Sequence, residues 1–253
     1  NQQGCQFCLG NLDRTFSLMS VIKPFLLLFL LEHYGIDRVL TWVGIEPSMA
    51  PFNSLAQLQA DQGFPRNPMI NSGAIVLSEK LPGQTSRDRC DALQTWLNQQ
   101  AGCNLKQDEW MLASVRSAGR EPNQALASYL QQTGHLADLE TTLDTYERIC
   151  CLAGQVADLA MIGQLLAFDH GSINRSHREM VNQVMQQCGL YEASADYATK
   201  IGMPIKSGIS GALLTILPGQ GAIACYSPAL DPMGNSIAGL TFVELLCSNL
   251  NQA

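Results

Sequence analysis

An unbroken apolar run, Pro24-Phe25-Leu26-Leu27-Leu28-Phe29-Leu30-Leu31, marks the most deeply buried element the chain can form. Eight residues are too few to span a bilayer, so the run reads as a buried helix over 20–34, ended by Gly35. Upstream, the short apolar stretch 5–9 before Gly10-Asn11-Leu12-Asp13 predicts a strand and a bend. Downstream, a short helix is expected over 37–43. A Pro/Gly/Asn-rich loop follows from 44 to 68, and loops of that length in a compact domain usually carry function. From 71 to 188 the periodicity is helical, with segments over 72–80, 88–101, 107–116, 123–133, 137–151, 156–168 and 175–188.

The pattern changes at Tyr191. Residues 204–209, 213–217 and 222–226 read as consecutive antiparallel strands, the last two joined by the turn Pro218-Gly219-Gln220-Gly221. An amphipathic helix over 236–250 closes the chain, and no internal repeat interrupts the series. This order predicts an α+β fold with an antiparallel sheet built from both chain ends, a helical lobe and a cleft between them. The expected division is a sheet subdomain from about 1–19 and 200–253, with a helical subdomain over about 37–190.

Composition narrows the function. With 253 residues, 46% apolar and 15% charged, the chain has the make-up of a soluble globular protein. A net charge of −7 and the lack of any basic cluster exclude nucleic acid and anionic membrane as partners. The nine cysteines are irregularly spaced; Cys5-x-x-Cys8 has no second such pair, and His33, His135, His170 and His177 are scattered. The expectation is free thiols, a cytoplasmic setting, no metal and no cofactor. The chain opens on Asn1-Gln2-Gln3 without a signal peptide, and an N-terminal segment is expected to be missing.

Candidate chemistry stands at the head of the apolar helix, in Ser20-Val21-Ile22-Lys23. On a helix this spacing puts the amine one turn from the hydroxyl on the same face. Burial disfavours the ammonium form, so the lysine can accept the serine proton and activate a nucleophile. By itself the pattern also fits a plain helix start with a snorkelling lysine. Lys206-Ser207-Gly208 adds a second element: a strand lysine supplying positive charge, and a glycine admitting close backbone approach. The plain alternative is a strand with an exposed lysine and a glycine bulge.

Longer motifs carry a family resemblance. Gly44-Ile45-Glu46-Pro47-Ser48, Pro51-Phe52-Asn53-Ser54-Leu55 and Pro65-Arg66-Asn67-Pro68-Met69-Ile70-Asn71-Ser72-Gly73 closely resemble the serine-dependent glutaminases. So do Leu143-Asp144-Thr145-Tyr146, Cys188-Gly189-Leu190-Tyr191 and Gly202-Met203-Pro204-Ile205-Lys206-Ser207-Gly208-Ile209, and the likeness runs from about Gly4 to the C-terminus. It implies a β-lactamase-like fold, a homo-oligomer, and hydrolysis of L-glutamine to glutamate and ammonia. By position it makes Ser20 the nucleophile, Lys23 its base and Tyr191 the group that protonates the departing ammonia. The Ser20 and Ile209 N–H groups would form the oxyanion hole. Asn71, Asn123 and Tyr146 match positions that bind the amino-acid end of the substrate, with Lys206, Ser207, Gly208 and Ile209 lining the site. Read singly, Asn71 and Asn123 also fit helix caps, and Tyr146 a core aromatic.

Three positions depart from the family pattern. Where it carries a glutamate seven residues before the asparagine matched by Asn123, this chain has Val115 or Arg116, with Glu121 nearby. The 19 residues before Ser20 leave no room for the family's leading segment with its substrate-contacting tyrosine. Met19 and Ser210-Gly211-Ala212 replace a polar residue and a more glycine-rich run. Two other readings stay open: a diverged, weakly active or inactive homologue serving as a binding or oligomerisation module, and a Ser-x-x-Lys hydrolase for another small amide or ester.

Overall fold

The computed structural model describes residues 6–250, with side chains to Ser248. In chain order the elements are β1 (Phe16–Ser17), a 3-10 turn (Met19–Ile22), α1 (Lys23–Tyr34), α2 (Ile36–Val39), α3 (Leu55–Ala60), α4 (Asn71–Glu79) and α5 (Ser86–Ala101). There follow β2 (Lys106–Gln107), α6 (Glu109–Ser117), α7 (Glu121–Gln132), α8 (Leu139–Cys150), β3 (Leu152–Gly154), α9 (Val156–Ala167) and α10 (Arg175–Cys188). A 3-10 turn (Tyr191–Ala193), α11 (Ser194–Lys200), β4 (Ile205–Ser207), β5 (Ala212–Leu217), β6 (Gly221–Tyr226) and α12 (Ile237–Leu250) complete the series.

Helix α1 is the core. Every residue from Lys23 to Leu31 is buried, as an element apolar on all sides must be to remain in water. The helices α4, α5 and α10 pack around it. Polar side chains fix where the surrounding helices begin: Thr85 and Asp88 form a capping box on α5, and Asp138 caps α8 by accepting from the Thr141 N–H. The seven helices expected between 72 and 188 form within two residues of their predicted ends.

The strands differ more from expectation. Two separate three-stranded antiparallel sheets form, ordered β1-β3-β2 and β4-β5-β6. The expected single sheet from both chain ends is therefore corrected: β1 pairs with β3, Phe16 opposite Gly154 and Ser17 opposite Ala153. The two ends meet through side chains instead, with Phe16 stacked on Tyr226 of β6 at 4.2 Å between ring centroids and 7° between planes. The expected strand over 5–9 does not form over residues 6–9, and Cys5 lies outside the described residues. Those residues are exposed, so no burial of apolar surface offsets the entropy of ordering them.

The late hairpin is as anticipated. β5 and β6 pair from Ala212–Tyr226 to Leu217–Gly221. One face lies against α9, and the other packs Leu213, Ile223 and Cys225 against Leu240, Val243 and Cys247 of α12. The 44–68 loop contains the short helix α3, capped by Ser54, and is zipped by Gly44 N–H to the Pro65 carbonyl and Glu46 N–H to the Arg66 carbonyl.

Candidate active site

Ser20 and Lys23 stand at the junction of the first 3-10 turn and α1, with Lys23 reaching the start of α4. The Ser20 turn is set by Val21 N–H donating to the Leu18 carbonyl, and Met19 takes φ 48° to allow it. Tyr191 opens the other 3-10 turn at φ 58°. Left-handed backbone at a side chain with a Cβ costs about 1–3 kcal/mol and persists where the surroundings enforce it. Two of the three such non-glycine positions among the described residues, Met19 and Tyr191, belong to this site.

Lys23 is fully buried and does not snorkel. Its Nζ donates to the Met69 carbonyl at 3.2 Å and to Asn71 Oδ1 at 2.7 Å. Asn71 Nδ2 then donates to Asn123 Oδ1 at 2.8 Å. Both asparagines are thus drawn into one relay and neither caps its helix: the α4 cap position is Ile70 and that of α7 is Arg120. Asn67 makes this geometry. Its amide donates to the Glu46 carbonyl, and its Oδ1 accepts from the Met69 and Ile70 N–H groups, turning the chain so that the Met69 carbonyl points at Lys23. Burial lowers the Lys23 ammonium to about 8, with the neighbouring Cys150 thiol acting the other way. Tyr146 lies under it, its ring centroid 5.9 Å from Nζ.

Lys206 is the second buried amine and is no exposed strand lysine. Its Nζ donates to the Gly189 carbonyl at 2.9 Å and the Ser207 carbonyl at 2.7 Å, and lies 4.1 Å from the Tyr191 ring centroid. Burial and then repulsion from Lys23 push its pKa well below the ordinary lysine value. Tyr191 donates to the same Ser207 carbonyl at 3.2 Å. Burial raises its hydroxyl, while interaction with the Ser20 side chain draws it partly back. Ser207 Oγ donates to the Gly234 carbonyl at 3.3 Å.

Gly208 brings the strand up to the nucleophile turn. A Cβ there would sit 2.8 Å from the Leu18 carbonyl oxygen and 3.4 Å from the Ser20 nitrogen. Ile209, the next residue, is half exposed. Gly189 has the same necessity behind the site, since a Cβ would fall 1.8 Å from the Ile205 carbonyl oxygen.

The ten residues singled out in the sequence lie near one another: Lys23, Asn71 and Asn123 through hydrogen bonds, Tyr146 under Lys23, Lys206 and the Ser207 carbonyl at Tyr191, Tyr191 by Ser20, and Gly208–Ile209 next to the Ser20 turn. The remaining acidic candidate does not: Glu121 is exposed in the first turn of α7. Arg116 is tied to Asp144, which also holds Ser86 and Arg148, and Val115 packs against the core. Four further residues escaped the sequence reading. Phe52 lies on Tyr191 with ring centroids 4.7 Å apart, Asn67 shapes the α4 entry, and Cys150 neighbours both Lys23 and Tyr146. Glu147 is a buried carboxylate whose Oε1 accepts from Arg120 Nε at 2.8 Å while Oε2 has no partner. Phe52 and Asn67 lie within the family motifs; nothing in spacing alone pointed to Cys150 or Glu147. Among the described residues no cluster of histidine, cysteine or carboxylate could hold a metal. The eight cysteines described are free, and no helix among the described residues is long and apolar enough to cross a membrane.

Known proteins resemble this chain along nearly its whole length. A Synechocystis glutaminase is 42% identical over 248 residues, covering 97% of this chain and 76% of its own length. A glutaminase of Streptomyces coelicolor is 36% identical, covering 95% and 80%. Among solved structures, a probable glutaminase of Bacillus subtilis superposes with a TM-score of 0.90 at 30% identity, covering 95% of this chain and 83% of that one. A second, at TM-score 0.84 and 28% identity, covers 96% and 82%; it is a Bacillus subtilis glutaminase in covalent complex with 5-oxo-L-norleucine, formed by reaction with 6-diazo-5-oxo-L-norleucine. A sequence profile described as glutaminase matches residues 1–253, and with these relatives it shows that the chain belongs to the glutaminase family.

Proposed function

We propose that the glutaminase reaction, L-glutamine and water to L-glutamate and ammonia, runs in this chain through an acyl-enzyme on Ser20. The observation that carries the reading is the buried Lys23 one helical turn from Ser20, with the Tyr191 hydroxyl beside the same serine. Neutral Lys23 takes the Ser20 proton as Oγ attacks the side-chain amide carbon. Charge then develops on the carbonyl oxygen, where the Ser20 and Ile209 N–H groups are its donors; the closeness of Gly208 to the Ser20 nitrogen supports that pairing. Tyr191 passes a proton to the departing amine, which leaves as ammonia, and is reprotonated through the Lys23–Ser20 pair. Water attacks the resulting ester by the same groups in reverse and releases glutamate. Asn71, held by Lys23, and Asn123 present their remaining amide capacity to the amino-acid end, with Tyr146 as the wall.

We also infer the β-lactamase-like arrangement. Its supports are the Ser-x-x-Lys motif opening the buried helix and the facing strand with Lys206-Ser207-Gly208.

Ammonia release from L-glutamine by the wild type and by Ser20→Ala tests the reading, together with labelling by a diazo-ketone analogue of glutamine. Turnover and label should both vanish in Ser20→Ala. Ammonia release that survives the substitution overturns the mechanism, and a wild type giving neither turnover nor label favours a binding module.

A further inference from the structure

We propose that Asp231 is a positioning residue for the reaction at Ser20, acting through the Gly234 carbonyl on Ser207. The proposal deepens the glutaminase reading above and rests on it. Asp231 opens the turn Asp231-Pro232-Met233-Gly234-Asn235, which lies between β6 and α12. Its Oδ1 accepts from the Met233 and Asn235 N–H groups, both at 2.9 Å, and its Oδ2 from Asn235 Nδ2 at 3.3 Å. Its carbonyl takes the Gly234 N–H at 3.0 Å, and its own N–H donates to the Asn235 carbonyl at 2.9 Å. One residue thus receives the N–H groups of Gly234 and of both its neighbours, as a short carboxylate at the head of a turn can.

So fastened, the turn presents the Gly234 carbonyl to β4, where it accepts from Ser207 Oγ at 3.3 Å. Ser207 is a node of the site. Its carbonyl takes the Tyr191 hydroxyl at 3.2 Å and Lys206 Nζ at 2.7 Å. Gly208 follows, so close to the nucleophile turn that a Cβ there would lie 3.4 Å from the Ser20 nitrogen. Ile209 comes next, and its N–H is the second oxyanion donor in the proposed mechanism. A Cβ on Gly234 would lie 3.4 Å from Ile209 Cγ2, so the turn abuts that residue as well.

β4 is three residues long and ends at Ser207, so this tether acts where the strand stops. An oxyanion donor works only where it is held, and a misplacement of about 1 Å costs on the order of 100-fold in rate. The role asks for acceptor oxygens more than for charge. An amide at position 231 can still accept both N–H groups with its oxygen. Its nitrogen can donate to Asn235 Oδ1, which is buried with no partner among the described residues, once the Asn235 amide turns over.

Kinetics counted per labelled site separate positioning from folding. Wild type, Asp231→Ala and Asp231→Asn are labelled to completion with the diazo-ketone analogue, and ammonia release from L-glutamine is divided by the labelled fraction. In Asp231→Ala, kcat per labelled site should fall about 10–100-fold with KM within about three-fold. Asp231→Asn should recover most of the loss. A turn that serves folding alone would lower the labelled fraction and leave kcat per labelled site unchanged, and that result overturns the proposal. So does a loss confined to KM, or an Asp231→Asn variant as slow as Asp231→Ala. Ser207→Ala cuts the same link without touching the turn. It should also lose kcat, and the double variant should fall within about three-fold of the slower single one. An unchanged kcat in Ser207→Ala overturns the route even where Asp231→Ala does not fold, and so do losses that multiply in the double variant. These outcomes leave the glutaminase reading intact. A wild type without glutamine turnover overturns that reading, and this role with it.

Discussion

Lys23 shows how burial sets a rate profile. With its ammonium lowered to about 8 by desolvation, the neutral form, which in the proposed mechanism accepts the Ser20 proton, gains population as pH rises through that value. The expected kcat/KM on L-glutamine climbs tenfold per pH unit below about 8 and levels above it. A flat profile between pH 6 and 9 would separate Lys23 from proton transfer. Linkage has the same sign for stability. Between about 8 and 10.5 the unfolded chain binds more protons than the folded one, so the Lys23 contribution to stability rises with pH across that window. The neighbouring amine Lys206 adds to this, since two cations so close favour loss of a proton. The sequence motif marked both lysines. That Lys206 is fully buried, held by two carbonyls and pressed on the Tyr191 ring was not legible, because the Gly189 carbonyl and the Tyr191 ring come from the far side of α11.

At the scale of elements, the site depends on a strand and a helix start meeting without a side chain between them. Gly208→Ala puts a Cβ 2.8 Å from the Leu18 carbonyl oxygen, and backbone cannot yield as a flexible side chain would. The expected cost is about 1–3 kcal/mol in urea unfolding. Displacement of the Ile209 N–H from the Ser20 turn should also lower kcat more than it raises KM. A loss confined to KM would place the glycine outside the reaction. Element boundaries on the helices were largely legible, because capping residues such as Thr85, Asp108 and Asp138 stand at the starts and apolar periodicity runs between. The strands β1, β2 and β3 were not, since two or three residues carry no alternation to read.

For the whole molecule, the notable joint is between the chain's beginning and its last strand. Phe16 is 5% exposed and stacks on Tyr226, so β1 is anchored to β6 although it pairs with β3. Phe16→Ala should cost about 3–5 kcal/mol of unfolding free energy. In a double-mutant cycle with Tyr226→Ala the coupling should be about 0.5–1.5 kcal/mol, the worth of a stacked aromatic pair. Additive losses would mean that the two rings stabilise the protein separately. Because β1 leads directly into the Ser20 turn, the same substitution should also lower ammonia release.

By itself the sequence determined the family, the buried central helix, the late hairpin and the candidate residues for the chemistry. Those features are written in local spacing and in contiguous motifs, and local spacing survives in one dimension. Only the tertiary structure decided that two small sheets replace one, that Lys23, Asn71 and Asn123 form a single relay, and that Glu147 is a buried carboxylate with an open oxygen. The reason is physical. Pairing of short strands, loss of water around a charge and the choice of a hydrogen-bond partner all depend on groups brought together from distant positions, as Lys23 and Met69 are from 46 residues apart.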